Sequence, residues 1–132
     1  LLVERHRLRK KITFIESCKE MPIAYKLSDL VISSSIEPEA FGRVAVEAQA
    51  MKKPIVASDI GGSKETVLNG KSGLFYKYND PKELAKAINK VMELSKKSLS
   101  LMGEQGRRNV EKKFNVDQMC QTTFTEYKKL LK

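Results

Sequence analysis

The sequence predicts an α/β fold in which helices cover both faces of a parallel sheet. Three observations predict it: short apolar runs alternate with helical patterns, polar loops follow the runs, and 132 residues suffice for one domain with a real core. Strand, polar loop, helix and strand in that order form the βαβ unit of a parallel sheet. Because ligands bind such sheets in the crevice beyond the carboxyl ends of the strands, the polar loops are where a site is expected.

Four short apolar runs are predicted as strands. Residues 11–15 alternate and are rich in β-branched side chains, which is typical of a strand. Residues 30–33 and 55–58 are short and apolar, as buried strands of a parallel sheet are. A last small strand is predicted at 73–76, after the turn signal Asn69-Gly70.

The helices among these strands are predicted from their end signals and their apolar faces. Residues 1–9 are interpreted as the tail of a helix that begins upstream of this sequence. Pro22 can open a helix over 23–28, and further helices are predicted over about 41–51 and 64–68. The predicted buried faces are Ile23, Ala24 and Leu27 in the helix over 23–28, and Val44, Ala45, Ala48 and Met51 in the helix over 41–51.

The next helix has the strongest start signal in the chain. Asp80 is predicted as its N-cap, Pro81 as its first residue, and Glu83 as the partner that completes a capping box. An apolar stripe then continues to Leu94. The pattern therefore predicts an amphipathic helix that packs on the sheet.

Two more helices are predicted to complete the chain. The helix over about 99–114 contains Gly103 and Gly106, each of which weakens it by about 1 kcal/mol relative to Ala, so close packing is expected to compensate. Asn115 is predicted to cap the last helix, over 116–131, whose apolar stripe we expect to be partly exposed.

The net charge of +9 comes mainly from basic clusters near the start and in the last third of the chain. Aromatic residues are not interleaved with these charges and no nucleic-acid motif is present, which disfavours a nucleic-acid partner. Solvated helix faces are the preferred interpretation. Attraction to anionic lipid, and thus peripheral membrane contact, or to a phosphorylated substrate stays open.

No targeting signal or membrane span is predicted from this sequence. Cys18 and Cys120 lack Cys-x-x-Cys spacing, so reduced thiols in a cytosolic protein are predicted. No apolar run approaches the ~20 residues of a membrane span, and no secretory signal is visible. The sequence begins without Met, and we interpret it as a piece of a longer protein whose expected location is the cytoplasm, with the inner face of the membrane left open.

Glu47 is the residue that is hardest to explain by structure alone. Its neighbours in the predicted helix are apolar on nearly every side, and a carboxylate in such company costs several kcal/mol unless it is paired or hydrogen-bonded. One alternative is an ion pair with Arg43 one turn away, worth only about 0.3 kcal/mol. The functional alternative is a carboxylate that accepts hydrogen bonds from two hydroxyl groups, as an acidic residue on a nucleotide ribose does.

The start of the same helix is suited to phosphate. Gly42 lies in the predicted first turn, where glycine costs stability unless the backbone must approach another group closely. The backbone N–H groups of Phe41, Gly42, Arg43 and Val44 would be free donors that point into the crevice. Glu39 precedes the helix, and its spacing alone is explained equally well by the helix dipole.

The neighbouring strand is followed by Gly61-Gly62, which opens the same crevice from the other side. A plain turn is an equally good explanation of this pair. The chain has a single histidine, His6, so a histidine-based triad or a histidine-rich metal site has no material. An Asp-x-Asp pair, which is a common metal-binding device, and a Gly-x-x-x-x-Gly-Lys phosphate loop are also missing from the sequence.

At these residues the sequence resembles the carboxyl-terminal half of retaining GT-B glycosyltransferases of family four, the glycosyl transferases group 1, which include many lipopolysaccharide and capsule enzymes. The family's hallmark is a pair of glutamates separated by seven residues, and Glu39 and Glu47 have that spacing with the family's Phe-Gly between them. The resemblance continues in order through Glu47-Ala-Gln-Ala-Met, Pro54-Ile-Val-Ala-Ser, Gly61-Gly62, Glu65 and Asn69-Gly70-x-x-Gly73, and includes the earlier Ala24-Tyr25-x-x-Ser28-Asp29-Leu30-Val31.

The resemblance implies a Rossmann-like domain that binds a nucleotide-sugar, with no metal or cofactor. Glu47 would bind the ribose hydroxyls, Glu39 would contact the transferred sugar as the catalytic residue, and the amides at 42–44 would hold the diphosphate. Gly61 and Gly62 would form part of the donor-site wall. The expected partners are a nucleotide-sugar donor, a glycan or lipid-linked acceptor, and an amino-terminal domain outside this sequence, toward which residues of about 115–132 would cross.

The sequence departs from the family at Ser33-Ser34-Ser35, where the family has Pro-Ser. The acceptor domain and an upstream arginine and lysine pair for the diphosphate are not in this sequence, so this chain alone is expected to be inactive. Two alternatives to a transferase stay open: a nucleotide-sugar-binding domain without transferase activity, and a basic interaction module for nucleic acid or membrane.

Overall fold

A computed structural model of the chain describes residues 2–131. The strands are β1 (Val31–Ser33), β2 (Ile55–Ser58) and β3 (Gly73–Tyr76). The helices are α1 (Leu2–Arg5), α2 (Met21–Leu27), α3 (Arg43–Ala50), α4 (Ser63–Thr66), α5 (Pro81–Met92), α6 (Lys96–Lys113) and α7 (Val116–Leu130). Of these, α1 is a single turn at the place where a helix tail was predicted.

The three strands form a parallel sheet in the order β1-β2-β3. In the register, Val56 at the centre of β2 pairs with Ile32 on one side and with Leu74 on the other. α3 connects β1 to β2, and α4 connects β2 to β3. The predicted strands at 30–33, 55–58 and 73–76 are therefore confirmed, as is the parallel βαβ order.

Helices cover both faces of the sheet, as predicted. On one face Ile55 and Ala57 of β2 pack against a cluster that includes Tyr25, Ala45 and Ala48, from α2 and α3. On the other face Val56 packs against a cluster formed by Tyr76, Ala87 and Val91, the last two from α5. Every residue of β2 is buried, because the strand is central in the sheet and covered on both sides.

The strand predicted at 11–15 is wrong. These residues adopt no regular structure beyond a turn, and the side chains of Phe14 and Ile15 are 75% and 71% exposed. An extended segment is stable as a strand only where a neighbouring strand satisfies its N–H and C=O groups. Among residues 2–131 the strands pair only with one another, so this segment has the composition of a strand but no partner.

The predicted inward faces of two helices also need correction. In α2 the side chains of Ile23, Ala24 and Leu27 are exposed and Tyr25 is the buried residue, because only that side of the short helix meets α3. In α3 Ala45 and Ala48 are buried as predicted, but Val44 is exposed. Gln49 is buried instead, which the sequence pattern did not predict because the residue is polar.

Buried polar groups join α3, α4 and α6. The amide nitrogen of Gln49 donates hydrogen bonds to the carbonyl oxygens of Ala45 (3.0 Å) and Thr66 (2.9 Å). Asn109 of α6 donates a hydrogen bond to the same carbonyl of Thr66 (3.0 Å). Since these groups satisfy one another, burying them costs little, and they fix the register between the helices that carry the site.

The close packing expected at the glycines of α6 is confirmed. A Cβ atom on Gly103 would overlap the carbonyl oxygen of Lys52, and one on Gly106 would lie 2.9 Å from the Cγ atom of Gln49. Glycine at these positions lets α6 approach α3 closely, which explains two glycines inside a helix.

Two predicted N-caps are confirmed. The Asp80 carboxylate accepts hydrogen bonds from the N–H groups of Lys82 and Glu83, and the Asn115 side chain accepts one from the N–H of Gln118. Glu83 does not complete the capping box predicted for it; its carboxylate contacts Lys86 instead. Every residue of α7 is exposed, and the large apolar side chains of its predicted stripe are 60–82% exposed.

Cys18 and Cys120 are both free and exposed. Within residues 2–131, the structure has no helix with the length and apolar character needed to cross a membrane.

Candidate functional site

Two loops meet beyond the carboxyl ends of β1 and β2. The loop after β1 contains Glu39, and the loop after β2 contains Gly61 and Gly62. The backbone N–H of Gly62 donates a hydrogen bond to the carbonyl oxygen of Glu39 over 2.8 Å. The predicted residues on the two sides of the crevice are therefore in direct contact.

The two glycines permit this contact because a side chain would not fit. A Cβ atom on Gly61 would lie 2.7 Å from both the backbone nitrogen and the carbonyl oxygen of Glu39, and Gly61 also has a φ of +56°, which favours glycine. A Cβ atom on Gly62 would lie 2.6 Å from the Cα of Phe41. The plain turn considered from the sequence is thus insufficient, since both glycines also pack backbone against backbone.

Gly42 sets the direction in which α3 begins. It is the N-cap of α3, with a left-handed backbone at a φ of +76°, and its carbonyl oxygen accepts hydrogen bonds from the N–H groups of Ala45 and Val46. Glycine adopts this conformation without the cost that other residues incur. The chain therefore turns sharply from the Glu39 loop into the helix.

The amino end of α3 has unused hydrogen-bond donors, as predicted. Within residues 2–131 the backbone N–H groups of Gly42, Arg43 and Val44 donate to no protein acceptor, and neither does that of Phe41. The first turn of α3 contains no acidic residue. Free N–H groups and the positive end of the helix dipole favour an anion at this position.

The Glu39 side chain is half-buried in the loop after β1. Its Oε1 atom accepts a hydrogen bond from the hydroxyl of Ser35, in the same loop. The second carboxylate oxygen has no protein donor among the described residues. Glu39 is thus held by the loop with one oxygen available to a hydroxyl group of a ligand.

The Glu47 carboxylate has protein partners at both oxygens. Oε1 accepts a hydrogen bond from the guanidinium of Arg43 (3.2 Å), and Oε2 accepts one from the hydroxyl of Tyr25 (2.8 Å). The ion pair considered from the sequence does form, and the Glu47 side chain is 37% exposed rather than enclosed by apolar neighbours. The cost of an unpaired buried carboxylate therefore does not apply to this residue.

Glu47 also lines a pocket of about 350 Å³ between α2 and α3. The pocket has apolar walls from Met21, Pro22 and Met51, and polar groups from Tyr25, Arg43 and Glu47. A few polar groups on mostly apolar walls are typical of a small-molecule site. The pocket lies beside the same helix, α3, whose amino end has the free N–H groups.

Tyr25 is the residue in this pocket with the clearest change in acidity. Its side chain is 5% exposed, and burial together with the hydrogen bond to Glu47 raises the pKa of Tyr25 to about 12. Burial and a neighbouring carboxylate both disfavour the negatively charged phenolate. Tyr25 therefore stays a hydrogen-bond donor to Glu47 over the whole physiological pH range.

We expect Tyr25→Phe to remove one late-ionising tyrosine from an absorbance titration of the four tyrosines. In the unfolded chain the proton leaves near pH 10, and in the folded chain near pH 12. The stability that Tyr25 contributes is therefore complete below pH 10 and is lost between pH 10 and pH 12, by at most about 1.4 kcal/mol per pH unit. Denaturant midpoints in that window should fall less steeply for the variant, and identical slopes for both proteins would contradict the assignment.

Phe41 packs toward the carboxyl-terminal helices rather than into the crevice. Its ring contacts Phe114 edge to face, with centroids 5.6 Å apart, and is 45% exposed. Both rings line a second pocket of about 420 Å³, whose other wall is formed by residues 115–123 of the α6–α7 junction and of α7. Among the predicted site residues, Phe41 thus contributes its backbone to the start of α3 and its side chain to the contact with Phe114, just after α6.

The structure brings most of the predicted site residues together. Glu39, Gly42, Gly61 and Gly62 surround the amino end of α3, and Glu47 lies further along the same helix. Sequence reasoning missed the roles of Ser35 and Tyr25, the partners of the two glutamates. The signal for Tyr25 is that it is a buried aromatic residue in a helix whose other apolar residues are exposed. This burial can be seen only in the structure.

The described residues, 2–131, contain no group of three or more His, Cys, Asp or Glu side chains that could hold a metal ion. That a metal is not required stays a prediction from the sequence.

The chain is similar to known sugar-transfer proteins. The family model for glycosyl transferases group 1 matches residues 1–109. Spore coat protein SA of Bacillus subtilis is 33% identical over 121 residues, which are 89% of this chain and 32% of that protein. The capsular polysaccharide biosynthesis glycosyltransferase CapM of Staphylococcus aureus is 31% identical over 112 residues, 84% of this chain and 29% of that protein.

Solved structures show the same fold. A glycosyltransferase from Rickettsia africae superposes with a TM-score of 0.89 at 34% identity, over 99% of this chain and 35% of that one. Anabaena HepE in complex with UDP and glucose superposes with a TM-score of 0.89 at 28% identity, over 96% of this chain and 34% of that one. The carboxyl-terminal domain of LpcC from Francisella tularensis, 24% identical with a TM-score of 0.74, agrees in fold over 87% of this chain and 60% of that one.

These similarities confirm the predicted fold class, a domain like the carboxyl-terminal domain of GT-B glycosyltransferases. The chain spans about a third of the length of the curated relatives given above. Because the family model covers most of the chain and the fold agrees, the chain belongs to the glycosyl transferases group 1 family.

Proposed function

We propose that this chain is the donor-binding part of a retaining, metal-independent glycosyltransferase that moves a sugar from a nucleotide-sugar to a glycan or lipid acceptor. The observation that carries the proposal is the amino end of α3, where three backbone N–H groups have no protein acceptor among residues 2–131. This end directly follows the loop of Glu39, and the same helix contains Glu47. Such an end is suited to a diphosphate. HepE, whose fold this chain shares, was crystallised with UDP and glucose, which supports a nucleotide-sugar as the ligand.

Different site residues would bind different parts of the donor. The N–H groups of Gly42, Arg43 and Val44 would bind the diphosphate, and Glu47 would accept hydrogen bonds from the ribose hydroxyls. The apolar walls of the pocket between α2 and α3 would suit the face of the base. Gly61 and Gly62 would form the wall opposite, and Glu39 would contact hydroxyls of the transferred sugar.

In the proposed reaction the oxygen of an acceptor hydroxyl bonds to the anomeric carbon on the face from which the diphosphate departs, so the configuration is retained. The bond between the anomeric carbon and the diphosphate oxygen breaks, and the hydroxyl proton passes to the departing diphosphate. The free N–H groups of α3 would stabilise the negative charge that develops on that oxygen. Donors fixed in advance at such a position are usually the largest contribution to catalysis.

We further propose that the longer protein works in cell-envelope polysaccharide synthesis, at the cytoplasmic side of the membrane. The support is the name of one relative, CapM, a capsular polysaccharide biosynthesis enzyme. The acceptor domain would lie outside this chain, and the exposed apolar stripe of α7 would be covered by it. Val116, Met119, Phe124, Tyr127 and Leu130, all 60% exposed or more, form that stripe.

The donor site is tested by calorimetry of the full-length protein with UDP-, GDP- and ADP-sugars. We expect one of them to bind and Glu47→Ala to weaken that binding by about 30-fold to 100-fold, because a charged acceptor for two hydroxyl groups is lost. Glu93→Ala, at the exposed carboxyl end of α5, is the matched control and should bind like the unchanged protein. If none of the three donors binds the unchanged protein, the donor-site proposal is wrong.

A further inference from the structure

The two partners of the Glu47 carboxylate differ in how firmly they are held. Tyr25 is buried, and its hydroxyl donates to Oε2 over 2.8 Å from a different helix. Arg43 is on the same helix as Glu47, and its side chain is 83% exposed. An exposed ion pair of this kind contributes little to stability, so its two groups exchange readily with solvent or ligand.

Because the two partners differ in this way, the hydrogen bond to Oε2 is fixed, whereas the partner of Oε1 can be exchanged. Tyr25 is anchored in the core cluster with Ala45, Ala48 and Ile55, so its hydroxyl cannot follow a moving carboxylate far. Each carboxylate oxygen has two lone pairs, so Oε2 can still accept a second hydrogen bond while Tyr25 is bound. Oε1 becomes available once Arg43 turns away.

We propose that Tyr25 is a positioning residue that holds the Glu47 carboxylate in the orientation needed to accept hydrogen bonds from both ribose hydroxyls of the donor. The inference rests on the proposed function and adds a residue from outside the glutamate motif. A carboxylate at the end of a flexible side chain loses rotational freedom when it binds two hydroxyl groups. Tyr25 removes that freedom before the ligand arrives, which is the advantage of a prepared site.

The pocket supports this arrangement. Tyr25, Glu47 and Arg43 all line the pocket between α2 and α3, whose remaining walls are mainly apolar. In such surroundings a neutral donor fixes the carboxylate without cancelling its charge, whereas a firmly held cation would compete with the ligand for it. Arg43 would leave Glu47 when the donor binds, and its guanidinium would remain next to the amino end of α3, close to the proposed diphosphate.

The test is a comparison of two ligands on the full-length protein by calorimetry. The first ligand is whichever of UDP, GDP and ADP the unchanged protein binds most tightly, and the second is its 2′,3′-dideoxy counterpart, which has no ribose hydroxyls. We expect Tyr25→Phe to weaken binding of the first by about tenfold and of the second by less than twofold. Tyr78→Phe, at an exposed tyrosine outside this pocket, is the matched control and should change neither affinity.

The ratio of the affinity losses for the two ligands distinguishes positioning by Tyr25 from a general structural effect. If Tyr25→Phe merely lowers the folded fraction or distorts the pocket, both affinities fall by the same factor and the inference is overturned. It is also overturned if Tyr25→Phe binds both ligands normally while Glu47→Ala loses the first, an outcome that leaves the proposed function intact. If the unchanged protein binds none of the three diphosphates, the proposed function and this inference fall together.

Discussion

Replacing Glu39 by Gln in the full-length protein is expected to lower kcat by about 100-fold to 1,000-fold while the affinity for the nucleoside diphosphate changes by less than threefold. The proposal puts Glu39 against the transferred sugar and not against the nucleotide, so the loss should appear in turnover. Removing one charged group that acts on the reacting part of a substrate typically has an effect of this size. Steady-state turnover and calorimetry on the same preparation measure the two quantities.

Glu37 offers a matched control in the same loop. Its carboxylate is exposed and has no hydrogen bond or ion pair among the described residues, so Glu37→Gln removes the same charge without touching the crevice. If both variants lose turnover equally, the effect is the general negative potential at the start of α3 and not a contact made by Glu39. If Glu39→Gln retains full turnover, its catalytic role is wrong and a different group must contact the sugar.

The Glu39 prediction has a different basis from that of the other site residues. The free N–H groups at 42–44 and the contact of Gly61 and Gly62 with the neighbouring loop are visible in the structure itself. The role of Glu39 comes from the resemblance, and the structure adds that Ser35 holds one carboxylate oxygen while the other is available. A turnover measurement is therefore more informative at Glu39 than at any of these neighbours.

Most of the fold could be predicted because local signals and global packing agree. The buried strand 55–58 is apolar throughout, and Asp80-Pro81 starts a helix by capping chemistry that needs no tertiary contact. The strand predicted at 11–15 is wrong because a strand needs a neighbouring strand to pair with, and the composition of a segment does not show whether it has one. The burial of Tyr25 was not predicted for a related reason: the inward face of the short helix α2 depends on where α3 lies.

The parts of the candidate site that backbone atoms form could be predicted from the sequence. Gly42, Gly61 and Gly62 are marked in the sequence, because only glycine fits such turns and close approaches. Side-chain partners such as Ser35 for Glu39 and Tyr25 for Glu47 come from elements whose relative positions the sequence does not give. Glu47 illustrates this limit, since its carboxylate is paired twice and more exposed than its apolar neighbours suggested.

Replacing Gly62 by Ala is expected to destabilise the folded protein by about 1–3 kcal/mol and to weaken nucleotide binding by tenfold or more. Gly62 has a φ of −60°, a value that alanine adopts freely, so backbone preference alone predicts a gain of up to about 1 kcal/mol. The clash reverses the sign: the new Cβ would lie 2.5–2.7 Å from the backbone carbon, Cα and oxygen of Phe41. Backbone atoms cannot move aside as a flexible side chain can, so the two loops must separate.

The same separation would displace the N–H groups of Gly42 and Arg43, and a shift of about 1 Å is enough to lose much of a site's function. Gly103→Ala is the matched control, because its Cβ would overlap the carbonyl oxygen of Lys52 at the far end of α3. Chemical denaturation should show a loss of stability in both variants, whereas calorimetry should show weakened binding only for Gly62→Ala. Equal affinities in the two folded variants would mean that the contact between the loops supports the fold and does not shape the site.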